Sequence, residues 1–183
     1  MVLTEIVLPI TEPETEWVRG RALRKMSPTR DHSRVQGAFL IAIEQWMRLS
    51  GQAGEVGPEW RFRLAPPGEV RRPLVPDVSY VAADVLRGRS HAEIQAPEFP
   101  PTVAVEVLSA GDDRRDVAAK IAAYLGSGVR LVLVLNPRRR TADAHDSDCT
   151  RHLEPSETFE HPALPGFALE LASFFAGALD LIR

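Results

Sequence analysis

At 183 residues the chain has the length of one ordinary domain and can bury roughly 70% of its unfolded surface around a single core. Hydrophobic residues at 44% and charged residues at 26% match a globular composition and exclude disordered, collagenous and coiled-coil classes. The net charge of −3 removes any whole-molecule signature of nucleic-acid binding, so such binding has to be local.

One cysteine, Cys149, excludes an internal disulfide framework or a multi-cysteine zinc site and is assigned no role. No apolar run, Leu131 to Leu135 included, approaches the about 20 residues of a membrane span. Acidic Glu5 sits where a signal peptide needs basic residues. A cytoplasmic protein without a membrane partner is expected.

In chain order, Glu16 to Met26 carries a glycine between two short runs and predicts a hairpin. Ser27 to Asp31 offers turn and N-cap residues before His32 to Leu49, where Val35, Phe39, Ala42, Ile43 and Trp46 recur at helical spacing. Gly51 and Gly54 stop that helix. Trp60 to Leu64 and Leu74 to Ala82 read as strands around a Pro66-Pro67-Gly68 turn. Leu86 to Pro101 reads as an exposed connection.

Thr102 to Leu108, Asp113 to Leu125 and Val129 to Leu135 then form a strand, a helix and a strand. This βαβ unit predicts two parallel neighbours at the centre of a sheet. Ala142 to Asp146 reads as an edge strand, and Leu169 to Leu179 ends in a short helix. The fold class is α/β: one domain over 1–183 with its core from about 16 to 174, a mixed central sheet flanked by helices.

The chemistry is signalled by Glu106, a carboxylate inside the central strand Val103-Ala104-Val105-Glu106-Val107-Leu108. An unpaired charge there costs several kcal/mol, so it is neutralised, ion-paired or bound to metal. Asp77 follows Pro76 inside another strand, where a proline can end the ladder and re-aim a side chain. Two carboxylates on one face of a sheet suit a hard divalent cation such as Mg²⁺ or Mn²⁺, which keeps its other positions for water and phosphate.

Lys120 shares a helix face with Asp113, Asp116 and Tyr124. It either pairs with Asp116 one turn away or points to Glu106, where its ammonium could orient or deprotonate a water and stabilise charge on phosphorus. Lys25 and Lys120 are the only lysines among 22 basic residues. A lysine in such a chain can reflect a need for a compact ammonium rather than a planar fork.

The succession Pro76-Asp77, Glu106-Val107-Leu108-Ser109, Asp116, Lys120, Tyr124, Gly128-Val129 and Asn136-Pro137 resembles the Uma2 family, within the PD-(D/E)XK or restriction-endonuclease-like nucleases. Glu16 and Gly20 in the first hairpin, His32 opening the first helix and Leu164-Pro165-Gly166-Phe167 extend the resemblance over most of the chain. It implies a restriction-endonuclease-like fold and metal-binding acids at Asp77 and Glu106. The signature lysine would fall at Leu108, so the resemblance implies that Lys120 supplies the ammonium from the following helix. His32 matches a histidine near the family's site. The chain departs from the family pattern at Gly20-Arg21, Ser109-Ala110-Gly111-Asp112, Arg130-Leu131-Val132-Leu133 and Asn136.

The expected function is therefore a Mg²⁺- or Mn²⁺-dependent endonuclease acting on nucleic acid, DNA first. Its catalytic set is Asp77, Glu106, Lys120 and His32. Substrate contacts are expected from Arg71, Arg72, Arg114 and Arg115, with Arg87, Arg89 and Arg138-Arg139-Arg140 as further clusters. The alternatives are a catalytically silent nucleic-acid-binding or protein-interaction module on the same fold, and a hydrolase of small nucleotides. A homodimer is the common arrangement for enzymes that cut both strands, and oligomeric state is left open.

Overall fold

The computed structural model describes residues 4–11, 13–25 and 28–180. The chain begins with a hairpin of β1 (Thr15–Val18) and β2 (Arg21–Arg24), followed by α1 (Arg30–Ser50). Strands β3 (Gly54–Pro58), β4 (Phe62–Leu64), β5 (Arg72–Leu74) and β6 (Val78–Ala82) lead into short helices α2 (Ala83–Leu86) and α3 (His91–Gln95). Then come β7 (Val103–Val107), α4 (Arg114–Gly126), β8 (Leu131–Asn136), β9 (Thr141–His145), β10 (Thr150–Leu153), β11 (Thr158–Glu160), β12 (Ala168–Glu170) and α5 (Leu171–Leu179).

Six strands make one mixed sheet in the order β10-β9-β8-β7-β6-β3. Its centre is the βαβ unit: β7 and β8 pair in parallel, Val103 opposite Leu131 through Val107 opposite Leu135, and the other pairs in the sheet are antiparallel. Alternation along β7 and β8 divides the interior. Val103, Val105, Val107, Leu131, Leu133 and Leu135 face a core with Phe39, Ile43 and Trp46 of α1 and Phe175 of α5. Ala104, Val132 and Val134 face a second core with Ala123 and Tyr124 of α4 and Val18 of the hairpin. Buried side chains on both faces explain the near-continuous apolar runs of these strands.

Local signals account for the helix ends. Thr29 caps α1 by accepting from the His32 N–H, and Gly51 closes it in the left-handed conformation at φ 69°. Asp113 caps α4 by accepting from the Arg115 N–H. Met26 and the candidate cap Ser27 lie outside the described residues.

Four expectations are corrected. The run from Leu74 to Ala82 is two strands: β5 pairs with β4 in a separate ribbon, and the chain re-enters the main sheet at Val78 after Pro76 interrupts the ladder. The strand read from Trp60 begins at Phe62. Ala142 to Asp146 corresponds to an interior strand, since β10 pairs outside it. The stretch from Leu86 to Pro101 includes α3, held by a reciprocal capping box between Ser90 and Glu93.

Strand β3 was masked in the sequence by two glycines and a proline. At Gly54 the requirement is close approach: a Cβ would sit 2.5 Å from the Val81 carbonyl oxygen and 2.7 Å from the Tyr80 ring. Among the described residues no helix is long and apolar enough to cross a membrane.

Candidate active site

Register brings the two predicted acids together. In the antiparallel β6–β7 pair Val78 lies opposite Val105 and Ser79 opposite Ala104; one further step sets Asp77 opposite Glu106. Cross-strand neighbours share a face, and this is the α4 face, because Ala104 and Val81 of the same phase belong to that core. The Asp77 N–H still donates to the Val105 carbonyl at 2.9 Å. With the ladder ended at Pro76, the Asp77 carboxylate accepts the next β7 donor itself, the Val107 N–H, at 2.7 Å on Oδ2.

Further donors hold Asp77, among them the Glu59 N–H at 3.2 Å on its backbone carbonyl. Lys25, just past β2, donates to Oδ1 at 2.6 Å and to the Val75 carbonyl at 3.1 Å. His32 Nε2 lies 3.2 Å from Oδ2. Its buried Nδ1 has no hydrogen-bond partner among the described residues, and Nε2, which faces the carboxylate, is the ring nitrogen that donates. Gln36, one turn on, donates to the Asp77 backbone carbonyl at 2.9 Å.

Glu106 is held from α4. Lys120 Nζ donates to Oε2 at 2.5 Å and the Tyr124 hydroxyl to Oε1 at 2.9 Å. These two helix residues are four apart and so lie on one face. Lys120 also meets Glu16 of β1 at 2.9 Å, and the other Glu16 oxygen accepts the Val75 N–H at 2.6 Å. The lysine is thus turned to two buried carboxylates. Asp116 is taken instead by Arg21 and Arg19.

Charge arithmetic explains the proton equilibria. Glu16, Asp77 and Glu106 face two ammonium groups, Lys25 and Lys120, so one carboxylate is in excess. Burial, helped by repulsion from Asp77 and Glu16 and opposed by Lys120, pushes the Glu106 carboxyl up to about 7. Burial would raise Asp77 too, but the His32 hydrogen bond and the Lys25 and Lys120 charges hold it well below the ordinary carboxylate range. Burial works against the Lys120 ammonium, yet Glu106, Glu16 and Asp77 outweigh it and raise its pKa. Lys120 is therefore a fixed cation at neutral pH.

The buried acids and both lysines line one cavity of about 400 Å³, walled by the hairpin, the end of β7 and the start of α4. Asp77, Glu106, Lys120 and His32 are all there. Arg71 and Arg72 are elsewhere: Arg71 pairs with Glu98, while Arg72 pairs with Glu69 and lines a separate hollow. Arg114 and Arg115 are exposed on the first turn of α4 and are not among the cavity's lining residues. The sequence reading left Lys25, Glu16 and Tyr124 without a role. The scarcity of lysine singled out Lys25, but only the docking of the hairpin against Val75 shows what it meets.

The donor set fits a hard divalent cation in part. Two carboxylates on one cavity wall are the oxygen ligands such an ion takes. Among the described residues no group of three or more His, Cys, Asp or Glu forms a ready metal cage. An ion here would rely on Asp77, Glu106, water and substrate.

The architecture defines a mixed α/β protein with a nuclease-like fold. It matches the crystal structure of a "putative nuclease belonging to DUF820" from Anabaena variabilis with a TM-score of 0.81 over 94% of this chain and 95% of that one, at 22% sequence identity. The Uma2 family, described as "Putative restriction endonuclease", matches residues 7–172, and the chain belongs to that family. Comparison with curated proteins finds none that matches.

Proposed function

We propose that this protein is a divalent-metal-dependent endonuclease that hydrolyses phosphodiester bonds of DNA. The observation that carries the reading is the cross-strand placement of Asp77 and Glu106 on one cavity wall with Lys120 held against Glu106 at 2.5 Å. Asp77 and Glu106 would hold Mg²⁺ or Mn²⁺, which when bound polarises the phosphoryl oxygens and lowers the pKa of a bound water.

The chain's own groups supply the rest. Lys120 stays protonated, so it orients the attacking water and stabilises charge growing on phosphorus rather than removing a proton. Glu16 fixes the ammonium from the far side. Tyr124 fixes the Glu106 carboxylate, and His32 with the Val107 N–H fixes Asp77. Such support keeps reacting groups within the narrow geometry that phosphoryl transfer requires.

A catalytically silent module on the same fold is the second reading, favoured by one observation: each Asp77 oxygen already has a donor, Oδ1 from Lys25 and Oδ2 from Val107. A plasmid-nicking assay separates the two. Wild type is expected to cut in Mg²⁺ or Mn²⁺ and to lose activity in chelator, with Glu106→Ala slower by at least roughly a hundredfold. Equal cutting by wild type and variant, or none by either, sinks the endonuclease reading.

A further inference from the structure

The cavity presents an electrostatic problem to a polyanion. Its lining carries seven carboxylates, Glu16, Glu59, Asp77, Glu106, Asp112, Asp113 and Asp116, against the cations Arg21, Arg24, Lys25 and Lys120. Both lysines are committed to the buried acids. A phosphate chain crossing the mouth needs a cation there that can move.

Arg21 is placed for this. It opens β2 at the rim, its side chain is 51% exposed, and its one described ion pair is with Asp116, itself only 10% exposed at the side chain. Asp116 has a second guanidinium, Arg19, at 3.3 Å, which also reaches Asp113 at 3.7 Å. Removing the only partner of a buried carboxylate is costly. With Arg19 in place, Arg21 can leave without stranding Asp116.

The hairpin turn points the same way. Arg19 sits at φ 49° before Gly20 at φ 76°, a tight turn whose first position favours asparagine, aspartate or glycine. An arginine there trades backbone comfort for a guanidinium that can hold Asp116. Arg71 and Arg72 lack this geometry, since they are tied to Glu98 and Glu69 away from the cavity.

We infer that Arg21 is a backbone-phosphate contact of the nucleic-acid site, held by Asp116 in the free chain and released to the substrate while Arg19 keeps Asp116 paired. The inference rests on the endonuclease reading and deepens it by naming a rim residue that grips DNA. It also assigns both acids an opposing effect: Asp116 competes with phosphate for Arg21, and Asp113 draws Arg19 away from Asp116.

The test is binding of a short fluorescent duplex DNA by the full chain in Ca²⁺ across a salt series, with the DNA checked for cuts and each variant's folding checked by thermal unfolding. Arg21→Gln is expected to bind roughly tenfold more weakly and to lower the slope of log affinity against log salt by about 0.9, one phosphate contact. Arg71→Gln is expected to match wild type. Asp116→Asn is expected to bind more tightly than wild type. Asp113→Ser, which keeps a capping side chain on α4, should also bind more tightly and decides the sign if Asp116→Asn does not fold.

A merely structural latch predicts the same direction for all three rim variants, with looser folding and weaker or unchanged binding. The inference is overturned if Arg21→Gln keeps the wild-type affinity and slope, or if neither acidic variant binds more tightly. If wild type binds no DNA, the endonuclease reading falls and this inference with it. If wild type binds and Arg21→Gln is unaltered, the inference falls alone.

Discussion

The two faces of the central sheet are built from the same strands and are chemically opposite. On the α1 and α5 side, Val103, Val105 and Val107 pack under an aromatic cluster in which Phe39 meets Phe167 edge-on at 6.0 Å and Trp46 meets Tyr80 at 5.4 Å. On the α4 side the same strand presents Ala104 and then Glu106, and the helix answers with Lys120 and Tyr124 instead of leucines. One face stabilises by burying apolar surface. The other holds buried charges whose attraction is offset by desolvation, so it adds little net stability but fixes three acids and two ammonium groups in place. A strand with one face closed by packing can carry a charged site on the other.

Substitutions should separate these roles. Lys120→Met strips Glu106 and Glu16 of their shared cation; unfolding in denaturant is expected to show a loss of roughly 3–5 kcal/mol, together with loss of nicking. Phe39→Ala, on the apolar face, is expected to lose a similar roughly 3–5 kcal/mol while the nicking rate per folded molecule changes little. Were it to abolish nicking in protein still folded, the division between the faces would be wrong. Tyr124→Phe removes one hydrogen bond to a carboxylate, and calorimetry should show about 1.5–3 kcal/mol.

The smallest expected effect is on pH dependence. Glu106 is raised from 4.5 to about 7, so between those values the folded chain binds more protons than the unfolded one. Its contribution to stability therefore falls as pH rises through that window. Asp77 has the opposite sign: its depressed pKa contributes stability above its unfolded value, lost as pH falls below it. Thermal unfolding from pH 4.5 to 7 should show the Glu106 decline in wild type and a flatter curve in Glu106→Gln. A steeper curve in the variant would place the proton elsewhere.

Much of the site was legible in the sequence because its residues violate the local pattern. A glutamate in a β-branched buried strand, an aspartate after a strand proline and a lysine in an arginine-rich chain are each anomalies against a known background. Period-two and period-3.6 patterning revealed β7, α4, β8 and α1 for the same reason. Strand β3 was hidden because Gly54 is there for contact with Tyr80 and Val81 rather than for propensity. The arginines could not be sorted, since sequence neighbourhood to a site element says nothing about whether Glu98 or Glu69 reaches them first.

By itself, then, the amino-acid order determined the βαβ core, its two buried faces and the identity of the anomalous acids, because these depend on alternation and helical spacing along the chain. Only the tertiary structure decided that Asp77 stands across from Glu106, that Lys120 turns from Asp116 to Glu106 and Glu16, and that Lys25 arrives at Asp77 from the hairpin. Those outcomes depend on the docking of segments as distant in sequence as Glu16 and Lys120 and on strand register, where a single step of slippage reverses the face of every side chain.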